Sequence, residues 1–257
     1  MMLTRVRAFC LGAFVCLTFS SVCAAEQNTA IYWNSPEAIP LQKKLPENAD
    51  FWRLMPHLTT QKTQSYCGVA SAVTVLNTLG SCQNGDPVYY PYHYVTQDSF
   101  FTPTILPFLS PRLVMSRGVG MNELQLALEA HGAEVQVVNG DSVTVDQLRD
   151  IVARELVNCE HYVLVNYHRA YLQQKGGGHW SVLGAYDADS DRVLILDVAR
   201  FSFLPVWVRV STLLDAINST DPRGITRGLL IVSGQSHAQQ QPVSEDVSES
   251  VTPSNQL

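Results

Sequence analysis

No block of lysine or arginine occurs anywhere in the 257 residues, and 17 basic side chains are outnumbered by 23 acidic ones. Nucleic-acid backbones and anionic membrane surfaces both select clustered positive charge, so neither is a partner this chain is built for. There is no CxxC, no HExxH and no other clustered Cys/His set, which argues against a structural zinc. No internal repeat is present, which sets aside repeat architectures. Beyond residue 25 no apolar run approaches the roughly 20 residues that a bilayer-crossing helix needs. What is present is a globular composition: 46% hydrophobic content at this length can bury a sizeable core, as one large domain or as two lobes sharing a cleft.

The two ends read differently from the middle. Arg5 and Arg7 precede an apolar run from Ala8 to Phe19, and small residues follow at Cys23-Ala24-Ala25. That is the pattern of a secretory signal peptide over residues 1–25, so an exported, periplasmic protein is expected, with no membrane attachment after cleavage. Val22 is bulkier than a lipid-attachment motif wants, which argues against anchoring at Cys23. Arg5 and Arg7 taken from 17 leave 15 basic residues against 23 acidic ones, about eight net negative charges. Cys10, Cys16 and Cys23 leave with the leader, and Cys67, Cys82 and Cys159 remain. An odd number means at least one thiol stands outside any intramolecular disulfide. Cys82 and Cys159 are read as free core thiols, with a disulfide between them as the alternative. Residues 235–257, rich in Gln, Ser, Pro and acid, read as a disordered tail, leaving 26–234 as the folded domain.

Within that domain, residues 67–79 carry Val69, Ala70, Val73, Leu76 and Leu79 at helical spacing, with Gly80 in the stop position. Residues 122–131 form a second amphipathic pattern ended by Gly132. Thr144 with Gln147 three positions on is a capping-box signature for a third helix. The period then changes: "HYVLVNYH", "HWSVLGAYD", "DRVLILDVA" and "RGLLIVS" are short, apolar and separated by turn residues, as strands are. The turn "DADSD" favours an antiparallel hairpin. Helices first and strands later predict an α+β fold, a helical lobe packed against an antiparallel sheet.

Cys67 heads the first helix, where free N–H groups and partial positive charge lower a thiol's pKa. His179 follows three glycines at the start of a strand, where it can serve a thiol as base and a leaving amine as acid. Asp197 ends the strand that the short turn pairs with that of His179, within reach to fix the imidazole tautomer. Gln61, six residues before Cys67, offers an amide N–H to an oxyanion, as does Gln64, and spacing alone leaves both open. His57, His93, His131, His161, His168 and His237 lack such a context. Gln, Cys, His and Asp in this order, on helix, strand and strand, match a papain-like thiol acyltransferase or protease.

The segments "TQSYCGVASAVTVLN", "NYHR", "GGGHWSVLGAYDADSDRVLILDVARF" and "RGLLIVS" closely resemble the catalytic domain of phytochelatin synthases, over residues 33–233. The resemblance implies a papain-like fold and attack on the Cys-Gly bond of glutathione, with Cys67 as nucleophile, His179 as base and acid, Asp197 as orienting carboxylate and Gln61 as oxyanion donor. Glycine leaves, and the γ-glutamylcysteinyl thioester passes to water or to a second glutathione. The resemblance also makes Asp221 and Arg227 the site for the γ-glutamyl head, and puts Arg169 and Arg200 beside the cleft as further substrate contacts. No cofactor is required by it. Cadmium or zinc can enter as an activator or as a glutathione thiolate complex, because thiolate is a soft ligand. Two departures stand out. The cysteine-rich C-terminal domain of plant members is absent, so this short bacterial type is expected to be mainly a glutathione hydrolase with weak transpeptidation. A leader is present, which places the enzyme where free glutathione is scarce. A homodimer is compatible with the sequence. Two rival readings are a papain-like peptidase cleaving after Gly-Gly and a non-catalytic thiol- or metal-binding protein of the envelope.

Overall fold

A computed structural model describes residues 30–80 and 85–234. The expected leader, Cys82 and the polar segment 235–257 lie outside the described residues. Seven strands form one sheet: β1 (Ile31–Tyr32), β2 (Ala133–Asn139), β3 (His161–His168), β4 (Gly178–Asp187), β5 (Arg192–Leu196), β6 (Val206–Arg209) and β7 (Gly228–Gly234). Their spatial order is β1-β6-β5-β4-β3-β7-β2, and every neighbouring pair is antiparallel. The helices are α1 (Ala38–Lys43), α2 (Asp50–Leu54), α3 (Cys67–Leu79), α4 (Pro111–Arg117), α5 (Met121–Ala130), α6 (Val145–Glu155) and α7 (Val210–Ile217).

The expected helical lobe on an antiparallel sheet is present, but it is only half of the packing. Side chains alternate across the strands, so each strand feeds two cores. Leu164, Val182, Leu194, Leu196 and Leu230 meet α1 to α5 on one face. Val163, Val165, Val193, Ile195 and Leu229 meet α6 and α7 on the other. This burial of both faces explains why the strands read as near-continuous apolar runs in place of an alternating pattern. Helices therefore do not all precede strands: α7 lies between β6 and β7 and, with α6, covers the far face. The strand β2 carries no comparable apolar run, because it lies at the sheet edge and exposes Glu134 and Asn139.

The helix boundaries follow local chemistry. Gly80 closes α3 at φ +65°, a left-handed conformation that glycine adopts without a Cβ clash. Thr144 and Gln147 form the reciprocal cap of α6. The second helix runs one residue ahead of expectation, capped by the Glu123 carboxylate accepting from the Gly120 N–H at 3.0 Å. In the hairpin turn, the Asp187 carboxylate accepts from the Ser190 N–H at 2.9 Å, and β4 and β5 then pair antiparallel.

Candidate active site

The first residue of α3 is Cys67, and no side chain caps that end of the helix. Its leading N–H groups stay available to the sulfur. Behind the cysteine, Gly68 lets α3 lie flat on the sheet: a Cβ there would stand 3.1 Å from Val119 and 3.2 Å from Trp180. His179 enters from β4, with Tyr167 of β3 opposite it in register and edge-on to its ring. Asp197 follows the last residue of β5, next to β4. The hairpin that pairs these strands thus brings the carboxylate to the imidazole, and His179 Nε2 lies 2.9 Å from Asp197 Oδ1. The other ring nitrogen, Nδ1, is left for Cys67, and sulfur and imidazole each favour the other's charged form.

The electrostatics favour an ion pair. Burial works against a Cys67 thiolate, but the nearby His179 and the N–H groups of Trp180 and Gly68 outweigh it and leave the thiol below its usual range. His179 is raised: burial disfavours its charge, and the sulfur and Asp197 overcome that penalty. Asp197 is fully buried, yet His179 and Arg169 hold its carboxyl at about 2.

Arg169 departs from the expected substrate contact. Its guanidinium grips Asp197 with two contacts, Nη2 to Oδ1 at 3.0 Å and Nη1 to Oδ2 at 2.8 Å, and it stacks on the Phe203 ring at 3.8 Å. It is buried and lies off the cavity wall. Further bonds to Asp197 come from the Ala199 N–H at 2.8 Å and the Tyr167 hydroxyl at 3.3 Å. Arg200 also departs from expectation. It donates to the Leu58 carbonyl at 3.0 Å and lines a separate cavity, because the chain turns outward after Asp197.

In front of Cys67 a cavity of about 830 Å³ opens, within the range of about 300–1,000 Å³ usual for small-molecule sites. Asp221 and Arg227 both line it but do not pair with each other. Asp221 Oδ2 accepts from Arg223 at 2.7 and 2.9 Å, and its Oδ1 accepts from the N–H groups of Arg223 and Ile225. Burial pushes the Asp221 carboxyl up, and these donors bring it below its usual value. Arg223 also reaches Glu123 at 3.2 Å, which Arg117 holds with two bonds of 2.9 and 2.6 Å. Arg227 is buried and donates to Asn166 Oδ1 at 2.8 Å. Its Nε has no partner, and among the described residues no carboxylate pairs with it. Desolvation accordingly lowers its pKa. It lies over Gly178, where a Cβ would fall 2.4 Å from Nη1. The glycine run before His179 thus makes room for this arginine.

Gln61 is buried behind the wall. Its Nε2 donates to the Thr63 carbonyl at 2.8 Å, its backbone N–H to Val198, and its Oε1 has no partner. Gln64, left open beside it by spacing, is on the wall. Among the described residues, no three His, Cys, Asp or Glu side chains come together as a metal site. Cys159 is free and partly buried. Sequence reasoning missed Asn166, His168, Trp180 and Arg223, all on the cavity wall. Asn166 carried a readable signal, a lone amide inside the apolar run of β3.

A cysteine at the head of a helix, packed against an antiparallel sheet that supplies histidine and aspartate, is the papain-like arrangement. The chain belongs to the phytochelatin synthase family, whose model matches residues 26–229. It is similar to glutathione gamma-glutamylcysteinyltransferase 1 of Triticum aestivum, at 34% identity over 73% of this chain and 37% of that protein. It is also similar to the enzyme of the same name from Arabidopsis thaliana, at 33% identity over 75% of this chain and 38% of that protein. The glutathione gamma-glutamylcysteinyltransferase of Schizosaccharomyces pombe matches at 23% identity over 72% of this chain and 44% of its own. The chain thus spans about two fifths of the length of these relatives. Among solved structures, the peptidase domain of Streptococcus ComA aligns with a TM-score of 0.44 and 14% identity, over 70% of this chain and 98% of that one.

Proposed function

We propose that this protein is a thiol acyltransferase and hydrolase acting on glutathione. The observation that carries the reading is a thiol–imidazole pair opening onto a cavity whose buried Arg227 lacks a carboxylate. A buried cation without a counter-ion is costly, so its environment selects an anionic ligand. In the proposed chemistry the Cys67 thiolate attacks the cysteinyl carbonyl of glutathione. The oxyanion forms beside the Cys67 backbone N–H, with Gln61 as the side-chain donor through the Nε2 hydrogen that its bond to the Thr63 carbonyl does not use. As the C–N bond breaks, the proton on His179 Nδ1 passes to the departing glycine amine, and a γ-glutamylcysteinyl thioester remains. His179 then takes a proton from water, giving γ-glutamylcysteine, or from the amine of a second glutathione, giving a phytochelatin. Arg169 and Asp197 hold the imidazole in place throughout.

Arg227 receives the α-carboxylate of the γ-glutamyl head and Asp221 its ammonium. Arg223 occupies Asp221 in the substrate-free protein, and Glu123 offers it another carboxylate when the ammonium arrives. Cadmium or zinc enters as a glutathione thiolate complex, as substrate. The Arg5–Arg7 leader pattern supports action outside the cytoplasm. Mass spectrometry of products from residues 26–257 with glutathione, with and without cadmium, tests the reading. γ-Glutamylcysteine alone would mark a hydrolase, glycine-ended oligomers of it a synthase, and unchanged glutathione would end the proposal. A Gly-Gly peptidase has no need of Asp221, so peptide cleavage that persists in Asp221→Asn would favour that rival.

A further inference from the structure

Behind the catalytic carboxylate lies a second cavity of about 540 Å³. Its walls are Trp33, Phe51, Met55, Leu58, Phe203 and Leu204, and Phe201 and Leu204 at its edge remain 59% and 42% exposed. Aromatic surface left open in a concave site marks a place that something covers. The cation on its lining is Arg200, whose contact is the neutral Leu58 carbonyl, with no carboxylate upon it among the described residues. An apolar hollow with one unneutralised guanidinium is complementary to an apolar group that carries a single negative charge. One wall is shared with the catalytic machinery: Phe203 faces this hollow and also stacks, at 3.8 Å, on the guanidinium that grips Asp197.

We propose that this hollow is a binding site for an aromatic or apolar monoanion, and that its occupancy is transmitted through Phe203 and Arg169 to the Cys67–His179 pair. Arg200 supplies the charge contact and Phe201 the face on which an aromatic ring stacks. A ligand lodged against Phe203 fixes the ring that Arg169 rests on, and so fixes the carboxylate that orients His179. The two sites are then coupled by the difference in ligand affinity between the well-ordered and the loosened stack.

The test uses 8-anilinonaphthalene-1-sulfonate as a fluorescent aromatic anion on the intact protein. Saturable enhancement at one site is expected, with displacement by 3-phenylpropionate and at least tenfold weaker displacement by the uncharged 3-phenylpropanamide. Arg200→Gln and Phe201→Ser, both at exposed positions, should each weaken the dye at least fivefold. For the link, the rate at which iodoacetamide alkylates Cys67, followed on its own peptide by mass spectrometry, should change at least twofold when 3-phenylpropionate saturates the protein. Absence of saturable dye binding, equal displacement by acid and amide, or indifference to both substitutions would overturn the site. Saturation that leaves the alkylation rate unaltered would overturn the link. None of these readouts uses glutathione, so they stand or fall apart from the proposed reaction.

Discussion

Replacing Arg169 by methionine separates holding the Asp197 carboxylate from touching a substrate. The guanidinium makes two contacts with Asp197, at 3.0 and 2.8 Å, in full burial. Removing one partner of a buried ion pair costs about 3–5 kcal/mol of stability, because the other charge is stranded. Asp197 starts from about 2, so even a substantial rise leaves it ionised at neutral pH. Its bond to His179 therefore persists, with only the Ala199 N–H and the Tyr167 hydroxyl left to aim it. A loosened orientation of the general base costs about 1.4–3 kcal/mol in the transition state, or roughly 10- to 100-fold in kcat. Arg169 also favours the Cys67 thiolate through its charge. In the variant the Cys67 thiol moves up, and the acid limb of the alkylation profile moves to higher pH. Steady-state kinetics on glutathione, with iodoacetamide alkylation of Cys67 from pH 5 to 9, provides the assay. The expected result is reduced kcat, nearly constant KM and a shifted acid limb, with partial rescue in Arg169→Lys. A raised KM with unchanged kcat and profile would refute the reasoning and make Arg169 a substrate contact.

Arg227→Gln should raise KM for glutathione at least tenfold and, because Arg227 also favours the Cys67 thiolate through its charge, move the acid limb of Cys67 alkylation to higher pH; equal KM would remove Arg227 from the substrate site. Gly178→Ala should act in the same direction without unfolding the protein, since its Cβ displaces the tip of a flexible arginine; a KM equal to the parent's would show that the guanidinium can move aside without loss. Asp50 is fully buried with both oxygens unpartnered, and burial pushes it up from 3.8 to about 8. Between those values the unfolded chain has lost this proton and the folded one keeps it, so stability falls as pH rises, by on the order of 5 kcal/mol across the window. Asp50→Asn should remove that slope and melt above the parent at pH 8, with the gap closing toward pH 5; parallel pH–Tm curves would contradict the assignment.

The parts of the fold that were legible in sequence rest on local chemistry. Thr144 and Gln147 cap α6 whatever surrounds them, Gly80 suits a left-handed stop, and the Asp187–Asp191 turn closes on its own side chains. His179 and Asp197 became visible as neighbours because a five-residue turn dictates which strands pair. What stayed hidden depends on which way a side chain faces after the last regular residue. Arg169 and Arg200 each lie next to a family motif in the chain, yet one turns into the protein beneath Asp197 and the other out toward a separate hollow. The network of Arg117, Glu123, Arg223 and Asp221 joins the start of α5 to the loop before β7, about 100 residues apart, and no local pattern announces it. The edge strand β2 was obscured by its half-exposed, mixed composition.

The close seat of Gly68 against Val119 and Trp180 has a consequence for how the site fails. Sulfur and imidazole belong to different layers of the molecule, and the spacing of those layers is set where a single hydrogen meets an indole. Anything that swells this seam, whether mild denaturant, warmth or one added methyl group, parts nucleophile from base while strands and helices remain formed. Loss of turnover should therefore run ahead of loss of structure, and the reaction itself becomes a gauge, finer than circular dichroism, of how tightly α3 is pressed to the sheet.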